Sequence, residues 1–118
     1  MKKLLPVIMF VLLAFAGCQR ELATYQMTEN PREMAPNAEK FVKQVSKQSK
    51  HYDAKDWHFA VDGFILMSKN FVENRDAMTE EEIMRFDKAR LQFMESVDAN
   101  GSEEIAMLVK DAYSRAVQ

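Results

Sequence analysis

Few residues in this chain have ligand or nucleophile chemistry. His51 and His58, with Asp53 and Asp56 between them, are the one cluster of metal-ligand types. Ligands on one helix share a face when three or four residues apart, whereas these histidines straddle a helix start, so a solvated, capped turn is expected there and no metal. The run Asp98-Ala99-Asn100-Gly101-Ser102-Glu103 has the composition of a calcium loop without its register. An EF-hand loop needs glycine sixth and glutamate twelfth; counted from Asp98, Gly101 is fourth and Val109 is twelfth. Glu80-Glu81-Glu82 reads as a solvated helix start, and the methionines beyond the first seventeen residues, scattered through the pattern, read as core filling. Cys18 is the only cysteine, so it can make neither an internal disulfide nor a thiolate cage. With no Gly-rich phosphate loop, HExxH or CxxC, neither catalysis nor a cofactor is expected.

The position of Cys18 gives it meaning. Lys2-Lys3 precede an apolar run over residues 4–16, broken only by Pro6. Thirteen helical residues span roughly 20 Å, short of a ~30 Å hydrocarbon core, so residues 1–17 read as a cleaved export signal and not as a permanent crossing. Phe15-Ala16-Gly17-Cys18 at its end resembles the lipobox of bacterial lipoproteins. That resemblance implies a diacylglyceryl group on the Cys18 thiol, cleavage before Cys18 and a membrane held through the lipid anchor. Phe15 stands where the pattern usually has leucine. Since Gln19 is not the aspartate that retains such proteins at the inner membrane, the resemblance implies the outer membrane facing the periplasm, with surface display left open.

The remainder must fold into something that the anchor carries. Removing the two leader lysines leaves 14 basic residues against 18 acidic ones, a net charge of −4 that disfavours a nucleic-acid partner. Residues 19–35 lack a sustained period and are expected to form a flexible tether, with Asn30-Pro31 as a breaker. As a coil such a tether would reach about 20 to 25 Å, letting the domain stand clear of the bilayer. From Pro36 onward the pattern is helical. Ala38, Phe41, Val42 and Val45 make one stripe over about 36–50. Asp53 and Asp56 cap a second helix ending near Asn74, with Trp57, Ala60, Val61, Phe64, Ser68, Phe71 and Val72 as its stripe. Thr79 and Glu82 form a capping box for a third, with Met78 and Ile83 as a hydrophobic staple, and Phe86, Phe93, Met94 and Val97 continuing the Ile83 stripe. Asn100-Gly101 ends it, and Ser102 opens a fourth helix with Ile105, Leu108, Val109, Ala112 and Ala116 inward. Four such helices imply an all-α fold, a small antiparallel bundle of four helices or three plus an accessory one, over residues 36–118.

Phe41-Val42, Val45, Tyr52, Asp56-Trp57, Ala60 and Phe64, followed by Thr79-Glu80-Glu81-Glu82, are similar to a group of small helical bacterial lipoproteins. The likeness runs over about residues 38–97 and rests on core and capping positions, so it implies no functional residues. Two features depart from a plain bundle. Phe59 and Leu66, seven apart, fall opposite the Trp57/Phe64 stripe and, with Gly63 nearby, make either an internal contact or an exposed strip for a partner. Arg90 interrupts the third stripe and is expected to snorkel to water or to pair with a carboxylate of another helix. The reading that follows is a lipid-anchored, non-enzymatic module of the cell envelope with a protein-interaction or structural role, an envelope protein being the partner expected for the first. The alternative is a carrier or sensor of a small apolar ligand, in a cavity lined by Phe64, Phe86, Phe93 and methionines.

Overall fold

The computed structural model describes residues 21–116. The expected export signal and Cys18 fall outside them. The described residues form four α-helices: α1 (Pro31–Gln48), α2 (Ala54–Asn74), α3 (Glu80–Asn100) and α4 (Glu103–Ala116). Short 3-10 turns at Ser49–His51 and Arg75–Ala77 follow α1 and α2. No strand occurs among the described residues. The all-α bundle expected from periodicity is therefore the fold.

Local chemistry sets the ends of the helices. Asp53 Oδ1 accepts from the Asp56 N–H at 2.9 Å while Asp56 Oδ2 accepts from the Asp53 N–H at 3.1 Å. Thr79 and Glu82 make the same reciprocal pair, at 3.2 and 2.8 Å. Each box satisfies two donors that the first turn of a helix leaves open. The α3–α4 junction is equally local. The Gly101 N–H donates to Val97 O at 2.7 Å, and a Cβ on Gly101 would lie 2.8 Å from that same oxygen, so a larger residue would push the junction apart.

Consecutive helices run antiparallel. Phe64 stacks on Phe93 at 4.5 Å and Phe71 on Phe86 at 4.3 Å, an inverse order that fixes α2 against α3. The most extensive helix contact, however, joins α1 to α3, which run parallel. Arg32 pairs with Glu82, Glu39 with Arg85, and Ser49 accepts from Asn100, so position rises together along both helices. Buried Ala35 lies on the Arg32/Glu39 face of α1, and buried Ala89 and Ser96 lie on the Arg85/Asn100 face of α3. Such small side chains allow the two backbones to approach closely. α2 and α4 form the other side. Between the layers, Phe41, Phe64 and Phe93 are buried in one stack, Phe41 lying 5.9 Å from Phe93.

Residues 21–35 depart from the expected tether. α1 starts five residues before Pro36: Asn30 is its N-cap, accepting from the Arg32 N–H at 3.0 Å, and Pro31 stands at the first helical position, where a missing N–H costs nothing. Asn30-Pro31 thus opens a helix instead of breaking one, and Met34 and Ala35 join the core. Residues 21–29 form a strap without regular secondary structure, laid along the helices. Ala23 and Tyr25 point inward, and Thr24 and Gln26 are exposed. From Glu21 beside Gln48 to Thr28 beside Glu33, the strap follows about 22 Å of α1 with seven residue steps, which requires extended backbone. The reach expected for a free coil therefore does not apply to residues 21–35.

Smaller corrections follow from the same packing. Val72, expected in the α2 stripe, and Leu108, expected in the α4 stripe, are exposed. Of the methionines, Met34, Met67 and Met78 fill the core and Met94 packs against it, whereas Met27, Met84 and Met107 are exposed.

Candidate functional site

Phe59 and Leu66 are 44% and 40% exposed, two turns apart on the outer face of α2. Both capping and core packing hold that face in place: the Asp53/Asp56 box fixes the first turn, and Trp57, Ala60, Val61, Phe64 and Met67 bury the opposite side. Gly63 does not belong to the strip. It is buried, and a Cβ added there would meet Phe41 Cζ at 2.7 Å and Cε1 at 2.8 Å, so glycine is present to let the Phe41 ring reach α2.

A second exposed pair with the same spacing, Met84 and Leu91, lies on α3 and was missed in sequence. Its signal was available, since both fall opposite the Phe86/Phe93 stripe at a seven-residue interval. A shallow depression of about 440 Å3 beside Met84 is lined by Glu80, Glu81, Arg85 and Lys88. Another, about 270 Å3, runs between α2 and α4 past Ile65, Lys69, Leu108 and Ala112.

Arg90 does pair with a carboxylate, but one of its own helix and not of another. Its Nε and Nη2 donate to one Asp87 oxygen, at 3.0 and 2.8 Å, within α3 itself. The guanidinium lies 4.7 Å from the Tyr113 ring centroid, so a cation–π contact reaches α4. The arginine thus ties the two last helices together through an aromatic face, with a carboxylate from its own helix.

Polar chemistry is concentrated under the strap. Asn70, 1% exposed, accepts from the Tyr25 hydroxyl at 2.8 Å and from the Thr28 N–H at 3.0 Å, and donates to Thr28 O at 2.7 Å. Gln48 does the same at the other end, donating to Glu21 O at 2.6 Å and accepting from the Ala23 N–H at 3.2 Å. Asn37 donates to Gln26 O between them. Burial pushes the Tyr25 hydroxyl well above its ordinary pKa. These groups satisfy one another, so their evident role is to hold the strap. The open trough beside it, about 600 Å3, is lined by Glu21, Leu22, Thr24, Gln26, Asn37, Lys40 and Gln44.

Among the described residues, no group of three or more His, Cys, Asp or Glu side chains could hold a metal ion. His51 and His58 are both exposed, one in a 3-10 turn and one in the first turns of α2. Residues 98–103 are a plain helix-to-helix junction, with Ser102 Oγ accepting from the Ile105 N–H. Glu82 is held ionised below the usual carboxylate range by the Thr79 backbone N–H, with Arg32 adding to the effect. Its contacts join α1 to α3, which is a structural task. No described helix is long and apolar enough to cross a membrane.

No protein family, curated protein or solved structure matches the chain.

Proposed function

We propose that the protein is a lipid-anchored module of the bacterial cell envelope that works by contact with an envelope protein through the α2 face carrying Phe59 and Leu66. The anchor rests on Cys18 and the apolar leader before it; by the lipobox resemblance the domain belongs in the periplasm, at the outer membrane. The observation that carries the interaction reading is the pair itself: Phe59 and Leu66, two turns apart on one face, stay exposed on a helix whose other side already buries Trp57, Ala60, Val61, Phe64 and Met67. Keeping them exposed costs burial energy of about 1 kcal/mol each, and a partner that covered them would recover it.

The apolar-carrier alternative needs interior volume. Phe64 and Phe93 stack at 4.5 Å and Phe71 and Phe86 at 4.3 Å, so the aromatic side chains that were to line a chamber pack on each other. This favours a filled core and a working surface over a ligand cavity.

The test is site-specific photo-crosslinking in cells, with the photoreactive residue at Phe59 or Leu66 and, as a control, at exposed Lys43. A discrete adduct with one membrane protein from the α2 positions, absent from Lys43, is expected. The same faint adducts from all three positions would remove the proposed surface.

A further inference from the structure

We infer that the end of the bundle carrying the α1–α2 and α3–α4 turns rests against the lipid headgroups, because the strap leaves almost no chain between the anchor and the fold. The inference depends on lipidation of Cys18, the reading given above.

Gln48 is the last residue of α1, and its side-chain amide grips the strap at both Glu21 and Ala23. Tyr52 donates to Gln48 Oε1 at 2.9 Å, which links the clamp to the α1–α2 turn. Asn100 at the end of α3 donates to Ser49 Oγ at 2.9 Å, bringing the α3–α4 turn to the same end. Trp57, packed edge-on to Tyr52 at 5.1 Å, lies just behind these turns. The strap therefore enters the fold where the two turns meet, with the Arg75–Ala77 turn at the other end of α2, about 30 Å away.

Three residue steps separate Cys18 from Glu21, a span of about 11 Å at full extension. A headgroup layer is roughly 5 to 7 Å thick, so an anchor at the acyl boundary uses half of that span before reaching water. The turn end cannot then lift clear of the surface. Attraction is not needed to hold it there. Lys47, Lys50 and Lys55 are interspersed with Asp53, Asp56, Glu103 and Glu104 at this end, a mixed set with no strong preference for an anionic bilayer. The short span imposes the position. Phe59, in the second turn of α2, would present its ring close to the bilayer, where a membrane-embedded partner could meet it.

Trp57 is the only tryptophan in the chain, so its fluorescence reports on this end alone. The purified lipidated protein is reconstituted into phosphatidylethanolamine–phosphatidylglycerol vesicles with and without lipid bearing a nitroxide on the headgroup. A second version carries about twelve Gly/Ser residues between Arg20 and Glu21, adding about 20 Å of coil reach. Intact mass confirms the lipid on both. The expected result is strong quenching of Trp57 in the native protein and loss of most of it in the extended one. Two outcomes, with lipid present, overturn the orientation and leave the anchor standing: no quenching of the native protein, or equal quenching of both. A chain without lipid on Cys18 overturns the anchor and the orientation together.

Discussion

The side-chain amide of Asn70 pairs with the main chain of Thr28 in both directions, donating to its carbonyl at 2.7 Å and accepting from its N–H at 3.0 Å. One buried side chain thereby satisfies two backbone groups of a segment with no helix or sheet partner, and the Tyr25 hydroxyl as well. Asn70→Ala should leave those groups unpaired at a cost of about 2 to 4 kcal/mol. Urea unfolding measures the loss. Amide hydrogen exchange should show it concentrated in residues 21–29, with α3 retaining most of its protection.

Gly63→Ala sets two effects against each other. Alanine favours an exposed helix interior by about 1 kcal/mol, but here its Cβ would sit 2.7 Å from Phe41 Cζ. The Phe41 ring is confined by Tyr25 at 6.2 Å and Phe93 at 5.9 Å, so it cannot swing away freely. Overpacking should win, with net destabilisation of about 1 to 3 kcal/mol in thermal unfolding. Combining Gly63→Ala with Phe41→Leu should cost less than the two single changes added together.

Much of this was legible in sequence, for a physical reason. Capping boxes at Asp53/Asp56 and Thr79/Glu82 involve residues three apart, and the stripes around Phe41, Phe64 and Phe93 follow a period that the helix itself imposes. The exposed positions of Phe59 and Leu66 were one of two outcomes that the wheel allowed. The strap was not legible, because Ala23 and Tyr25 are buried by partners 25 and 45 residues away, and no local period announces a segment held by side-chain amides. Asn70 falls within the inward arc of α2 as a polar residue, which was the one sign that something other than a helix had to meet it there.

Acid stability should depend on Glu82. Its folded-state pKa is depressed, so the stability it contributes is present above its unfolded value near 4.5 and is lost as pH falls through the folded one. Glu82→Gln should therefore lower stability at neutral pH and flatten its decline below about pH 4.5. Chemical denaturation at a series of pH values measures both.

At alkaline pH the sign reverses. Tyr25 has a raised folded-state pKa, so its contribution is complete below the unfolded value of 10.0 and disappears as pH rises above it. Tyr25→Phe should be less stable at pH 8, having lost the hydrogen bond to Asn70, and should fall less steeply than the native protein above pH 10. Circular dichroism melts at several alkaline pH values check the slope.

Phe59→Ser with Leu66→Gln should leave the protein folded and lower its stability by only about 1 kcal/mol for each substitution, because 44% of Phe59 and 40% of Leu66 is already exposed. The same double variant should lose the α2-directed crosslink. A drop of several kcal/mol would show that the pair stabilises the fold instead.

The anchor is the claim on which the envelope role stands, and the intact mass of the protein extracted from its native membranes tests it most directly. Lipid anchoring requires a chain that begins at Cys18 and carries the added mass of a diacylglyceryl group. A chain that still begins at Met1, with an unmodified thiol at Cys18, would contradict it.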